Sequence, residues 1–281
     1  MRIFKFGGAS VKDANGVKNL VKVLSETGHD NMLVVVSAMG KTTNLMERLV
    51  EACFRKEEQE VEQLYQEVYQ QHYNIVVELG LTEDEDFITL FEYKFDELEQ
   101  KINNDLAENY AYEYDQIVSF GEVISTTIIS GFLNFIGIEN CWFDARKIIR
   151  TDSWFRSAKV DWPKTKELVN AKVKSYLASG NEKKIAITQG FIGHNETHQT
   201  TTLGREGSDF SAAILAWSLS AEDVTIWKDV PGMLNADPKW FDNTILLESI
   251  SFREAIELAY FGASVIHPKT IKPLQNKSIP L

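Results

Sequence analysis

Five short apolar segments recur along this chain, separated by stretches with helical spacing, and this alternation limits the available folds more than any other feature. Ile3 to Phe6, Met32 to Ser37, Cys141 to Asp144, Ile185 to Gln189 and Val224 to Trp227 have the length and the β-branched or aromatic content of strands. Between the first two, Val17, Leu20, Val21 and Leu24 repeat every three or four residues. Val61, Leu64, Tyr65 and Val68 do so later, and Leu168, Val169, Val173, Tyr176 and Leu177 further on. Strand, helix and strand in succession form β-α-β units, so the pattern predicts an α/β protein with a mostly parallel sheet, the helical stripes entering its core.

No repeat, low-complexity tract or Pro/Gly/Ser linker interrupts the 281 residues, so a single α/β domain with two lobes is expected. A chain of this length buries roughly 75% of its unfolded surface, enough for a sizeable core. Ser251 and Glu254 have the spacing of a capping box opening a helix that Gly262 can close, and Pro268 suits the first turn of another. Ser278 to Leu281 reads as the beginning of a further strand.

The net charge of −12 is unevenly distributed. Residues 51 to 110 hold 17 acids and 4 bases, so the other 24 acids and 25 bases leave the remainder near neutral. That acidic segment reads as two or more helices with solvated outer faces, while the remainder can host a phosphate site without opposing it electrostatically. No basic stripe suggests nucleic acid binding. No uninterrupted apolar run approaches the roughly 18 residues of a membrane span. Cys53 and Cys141 lack metal spacing and the N-terminus lacks a signal-peptide run, so a reduced, cytoplasmic protein is expected.

The chemistry concentrates in three turns that follow strands or precede helices. Lys5-Phe6-Gly7-Gly8-Ala9-Ser10 places a cation at a strand end beside two glycines that can expose backbone N–H groups, as a phosphate cradle requires. Gly204-Arg205-Glu206-Gly207-Ser208-Asp209 precedes a helical pattern, so its free N–H groups and the helix dipole also suit an anion. Lys228-Asp229-Val230-Pro231-Gly232 follows the last strand. Three such turns at strand C-termini suggest the crevice in which open α/β sheets bind ligands. His194 and His198 lie four apart in a polar loop without a further ligand, and no metal site is assigned.

Together KFGGAS, SAMGKTTNL, SFGE, WFDARKIIRTD, TQGFIG, LGREGSD, WKDVPGMLNADPK and FGASVIHP resemble the aspartokinases of the amino-acid kinase superfamily, in the family's order and over nearly the whole chain. The resemblance implies a three-layer α/β/α sandwich, with amino-acid binding in residues 1–183 and nucleotide binding in 184–281. It implies transfer of the γ-phosphoryl of ATP, with Mg²⁺, to the β-carboxylate of L-aspartate in lysine, threonine and methionine biosynthesis; a homodimer is one assembly open to the chain. By the same resemblance Lys5 bridges the moving phosphoryl group and Asp209 orients that lysine, while Gly7, Gly8 and Ser208 cradle phosphate oxygens. Arg205 forks onto a substrate carboxylate, Glu122 accepts the α-ammonium, and Ser37 and Thr43 line the pocket.

Lys228, Asp229, Leu234, Lys239, Ser264 and Val265 fall at family positions around the nucleotide. Lys228 replaces a frequent Thr, Leu234 an aromatic, Lys239 an Arg and Ser264 a Lys, so this half departs most from the pattern. Asp144 and Arg146 are expected to brace the sheet edge. The resembled enzymes generally continue into a pair of regulatory ACT domains, and the expectation here is one kinase domain without them. Two other functions compete. A kinase for another small carboxylate, such as an N-acetylated glutamate, is disfavoured because an acylated nitrogen offers Glu122 no positive charge. A non-catalytic amino-acid or nucleotide sensor is disfavoured by the retention of Lys5, Arg205 and Asp209.

Overall fold

The computed structural model describes residues 1–28, 31–179, 184–230, 232–260 and 265–281. Gly262 and Ser264 therefore lie outside the described residues. All five anticipated strands form, and all join one sheet: β1 (Arg2–Phe6), β2 (Met32–Val36), β3 (Asn140–Phe143), β4 (Ile185–Gln189) and β7 (Asp223–Trp227), in the order β3-β4-β2-β1-β7. Every pairing is parallel. Two further strands, β5 (Ile192–His194) and β6 (Thr200–Thr202), make a small antiparallel pair that the sequence pattern does not reveal. Each has only three residues, too few for a period-2 pattern to emerge.

Side chains alternate across the sheet, so β1 feeds two separate cores. Phe4 and Phe6 join Met32, Val34, Val36 and Ile187 beneath α1 (Ala14–Thr27), α2 (Thr42–Arg55), α3 (Glu58–Glu78), α4 (Glu85–Asn103), α5 (Tyr110–Val118) and α6 (Phe120–Phe135). Ile3, Leu33, Val35 and Ala186 face the other way, toward α7 (Trp162–Val169), α8 (Ser175–Ala178) and α9 (Gly207–Leu219). Two apolar faces covered by helices give the three-layer α/β/α sandwich. The alternation also puts Lys5 on the side of Ile3, facing α9. The stripe around Leu168 and Leu177 continues from α7 to α8 through a π-helical stretch, Asn170–Lys174.

The acidic segment folds mainly as α3 and α4, packed through Leu64, Tyr65, Val68, Phe91 and Phe95. Ser251 and Glu254 close the capping box of α10 (Phe252–Tyr260), with Ser251 N donating to Glu254 Oε2 over 2.8 Å and Glu254 N to Ser251 Oγ over 3.2 Å. Pro268 opens α11 (Pro268–Asn276). One expectation needs correction. Ser278 to Leu281 forms no strand, although Val224 N donates to Pro280 O along β7 (2.9 Å). The continuous helical stretch Tyr110–Phe135 is long and apolar enough to cross a membrane by length and composition, because its scattered Ser, Thr and Gly residues conceal it from a search for unbroken apolar runs. Since 89% of its apolar window is buried inside the protein, it serves here as a core helix.

Candidate active site

A cleft of about 480 Å³ opens at the C-terminal ends of β1 and β2, against the N-terminus of α9. Lys5, Gly8, Ser37, Thr43, Glu122, Arg205, Ser208 and Asp209 all line it, although they come from separate stretches of chain. Gly7 stands just behind, its N–H donating to Trp227 O over 3.3 Å. That bond ties the turn after β1 to the end of β7. Gly8 admits no side chain, because a Cβ there would lie 2.7 Å from Ala38 O.

At the cleft floor Lys5 Nζ lies 2.6 Å from Asp209 Oδ1, and Lys228 Nζ lies 2.9 Å from Oδ2. One buried carboxylate thus holds two ammonium groups. Burial by itself would raise the Asp209 carboxyl, but Lys5 and then Lys228 outweigh it and hold it below the usual carboxylate range. Burial pulls the Lys5 ammonium below its usual range, opposed by Asp209. The cluster keeps a surplus of positive charge beside the N-terminus of α9, whose dipole adds to it.

Glu122, in the first turn of α6, is 3% exposed, and its Oε2 has no hydrogen-bond partner among the described residues. Burial raises this carboxyl to about 8, although its own N–H, the Ala38 N–H and the Lys5 charge pull the other way. A carboxylate held in an apolar helix with an orphaned oxygen facing a cleft is costly unless a cation arrives to pair with it. Arg205, by contrast, is exposed at the rim, so its guanidinium keeps more of its hydration.

The residues expected on the nucleotide side are less closely grouped. Lys228 and Val265 line a second cleft of about 380 Å³, together with Gly232, Met233, Leu247 and Phe252, and Lys228 Nζ donates to Val265 O (2.5 Å). Leu234 instead bridges to Leu246, Asp229 is exposed, and Lys239 is exposed with its backbone N–H on Asp237 (2.9 Å). Ser264 lies outside the described residues. Arg146 forks onto Asp144 with both contacts at 2.9 Å, bracing the end of the edge strand β3.

Sequence reasoning missed Glu47, Tyr114, Arg156, Phe191 and Glu206, which also line the first cleft. Tyr110 and Tyr114, four apart on one helix, offered a signal for an aromatic wall. Arg156 lies in a loop with no periodicity to reveal it.

The whole chain, residues 1–281, matches the amino acid kinase family. It is 34% identical to the lysine-sensitive aspartokinase 3 of Escherichia coli (strain K12), over 99% of this chain and 60% of that protein. It is 32% identical to the chloroplastic aspartokinase 1 of Arabidopsis thaliana, over 99% of this chain and 49% of that protein. The crystal structure of E. coli aspartokinase III in complex with aspartate and ADP superposes with a TM-score of 0.89 at 32% identity, covering 99% of this chain and 60% of that one. The Clostridium acetobutylicum aspartate kinase superposes at 0.80 with 27% identity, covering 99% and 59%. The chain therefore spans between about half and 60% of the length of these relatives. A family match over every residue, on a parallel sheet with a glycine turn after β1, settles the relationship: the chain belongs to the amino acid kinase family.

Proposed function

We propose that the chain transfers the γ-phosphoryl group of ATP to the β-carboxylate of L-aspartate, giving 4-phospho-L-aspartate. The observation that carries this reading is the conjunction, in one cleft, of the Lys5–Asp209–Lys228 cluster with the orphaned Glu122 carboxylate. The first suits a phosphoryl group and the second an ammonium. The E. coli relative that binds aspartate and ADP supports the same pair of ligands.

The β-carboxyl of aspartate ordinarily loses its proton at about pH 3.9 and is ionised at neutral pH, so the nucleophile needs no general base. One of its oxygens forms a bond to the γ-phosphorus while the bond from that phosphorus to the β,γ-bridging oxygen breaks, and ADP leaves with the electron pair. No proton moves. Catalysis is positioning plus neutralisation of charge on the transferred oxygens. Lys5 supplies the cation nearest those oxygens and Asp209 fixes its direction. Gly8 and Ser208 contribute donors around the phosphates, while Gly7, its N–H held by Trp227 O, shapes the turn that presents them. Glu122 pairs with the α-ammonium and Arg205 with a carboxylate, while Ser37 and Thr43 complete the wall.

Mg²⁺ belongs to this reading as an ion brought in on the triphosphate, where it neutralises phosphate charge. Among the described residues no three His, Cys, Asp or Glu side chains converge, and Asp209 is committed to two lysines, so phosphate oxygens and water would hold most of the ion. The nucleotide would lie toward the second cleft, with Lys228 at the junction of the two. Residues 1–183 would then serve chiefly the amino acid and 184–281 the nucleotide, with Arg205, Ser208 and Asp209 reaching across.

Incubating the chain with ATP, Mg²⁺ and a panel of amino acids, and trapping acyl phosphate with hydroxylamine, tests the reaction. Aspartyl hydroxamate is the expected product. Its absence, or equal product from N-acetylglutamate, would overturn the reading. A homodimer and a cytoplasmic setting belong to the same proposal, and sedimentation velocity decides the first.

A further inference from the structure

The aspartate cleft has a second arginine at its rim. Arg156 lines it together with Arg205, on the loop between β3 and α7. Its backbone is left-handed, φ 67°, a conformation that costs a non-glycine residue energy and persists only where the surroundings enforce it. Asp115 does the enforcing. This fully buried carboxylate on α5 accepts from Arg156 N through both oxygens, at 3.1 and 3.0 Å. The same carboxylate accepts from Thr202 N at 2.8 Å and Thr202 Oγ1 at 2.7 Å, three residues before Arg205. Ala158 N also donates to Thr202 O over 2.9 Å. One buried acid therefore holds the two arginine-bearing loops in register.

The Arg156 side chain is also positioned. Its guanidinium carbon lies 4.3 Å from the Tyr114 ring centroid and 5.7 Å from that of Tyr110, and the Tyr114 hydroxyl donates to Glu47 over 2.6 Å. Stacking leaves the edges of a guanidinium, where its N–H donors point, available to a ligand. Among the described residues no carboxylate forms a close ion pair with it, although its charge also acts on buried Asp115. Charge balance points the same way. Glu47, Glu122, Glu206 and Asp209 put four acids on the lining, against Lys5 and Arg205 there and Lys228 on the far oxygen of Asp209. A cleft meant for an anionic amino acid and a triphosphate gains from a further cation.

We propose that Arg156 is a specificity-determining residue that shares the substrate's α-carboxylate with Arg205, the pair acting as a clamp whose spacing Asp115 sets. The proposal rests on the aspartate kinase reading. Because the α-carboxylate is remote from the reacting β-carboxylate, the contact is equally strong in the ground and transition states, and its loss appears in KM rather than kcat.

The test compares L-aspartate with L-isoasparagine, in which only the α-carboxylate is amidated, using the full chain with ATP and Mg²⁺. Arg156→Gln is expected to lower kcat/KM for aspartate about 10- to 100-fold, the range for a charge-assisted hydrogen bond, with kcat nearly unchanged. The same variant should change kcat/KM for isoasparagine less than about threefold, and Arg156→Lys should recover part of the loss, since it keeps the charge without the fork. An equal loss on both compounds, or none on aspartate, overturns the proposal. If the parent chain phosphorylates neither compound, the kinase reading fails, and calorimetric titration of both compounds into parent and Arg156→Gln still reads the clamp. There a preference for aspartate that the variant leaves unchanged overturns it.

Discussion

Lys5 Nζ lies 2.6 Å from Asp209 Oδ1, and this buried ion pair joins the end of β1 to the first turn of α9. The two residues are far apart in sequence, Lys5 near the N-terminus and Asp209 at the start of α9. Lys228 occupies the other oxygen at 2.9 Å, so the direction of the Lys5 ammonium is fixed before any ligand enters.

Lys5→Met should lower kcat by on the order of a thousandfold or more, because its charge acts mainly on the transferred oxygens. The fold should survive, since Asp209 retains Lys228 as a counter-charge. Steady-state kinetics beside a thermal melt checks both halves. Activity within tenfold of the parent would remove Lys5 from the mechanism.

Asp209→Asn has a different expected outcome. It leaves the Lys5 and Lys228 ammonium groups close together without their shared anion, and burial then favours loss of a proton from Lys5. Both kcat and melting temperature should fall, with part of the thermal loss recovered at high pH, where one lysine is neutral. A melting temperature unchanged across that range would contradict the electrostatic role of the cluster.

Glu122 should make aspartate binding depend on pH. Its carboxyl, raised by burial to about 8, is largely protonated in the free protein at pH 7, yet the ammonium of the substrate requires the ionised form. Binding therefore releases a proton, and aspartate affinity should increase as pH rises toward 8. The effect on stability has the opposite sign. A carboxyl raised on folding stabilises the fold at low pH, and that contribution is lost as pH rises from near 4.5 to about 8. Glu122→Gln should abolish the pH dependence of affinity, weaken aspartate binding by roughly 2 to 5 kcal/mol, and flatten the decline in stability. Calorimetry in two buffers of different ionisation enthalpy measures the released proton.

Arg205→Ala should weaken aspartate binding less than Glu122→Gln does. Its guanidinium is exposed, so water replaces part of the lost contact, and a loss of about 1 to 2 kcal/mol is expected, with ATP binding changed little. Titrating each ligand separately distinguishes this from a general weakening.

Gly190→Ala tests how tightly the sheet holds the N-terminus of α9. A Cβ at Gly190 would lie 2.6 Å from Ser208 Cβ and 2.7 Å from its Cα, so the α9 N-terminus must move. The cost in stability should be about 1 to 3 kcal/mol. Asp209 moves with Ser208, so kcat should fall at least about tenfold while far-ultraviolet circular dichroism is unchanged.

The sequence by itself determined the framework. The five sheet strands were legible as short segments rich in β-branched and aromatic residues, most plainly Met32–Val36, an unbroken apolar run buried at every position, whereas β3 and β7 are only partly buried. The capping box at Ser251 and the glycine turns at Gly7 and Gly204 were legible because local backbone chemistry decides them. The site residues were found by motif, and eight of them line one cleft because parallel strands end together. Tertiary structure alone decided the rest. That Asp209 is shared by two lysines, that Asp115 joins the loops of Arg156 and Thr202, and that Glu122 is left with an orphaned oxygen are consequences of which segments meet. The Asp115 contact to Arg156 spans 41 positions of chain and the Lys5 contact to Asp209 spans many more, and neither leaves a periodic trace. A polar residue's partner is set by packing in space rather than by its neighbours in sequence.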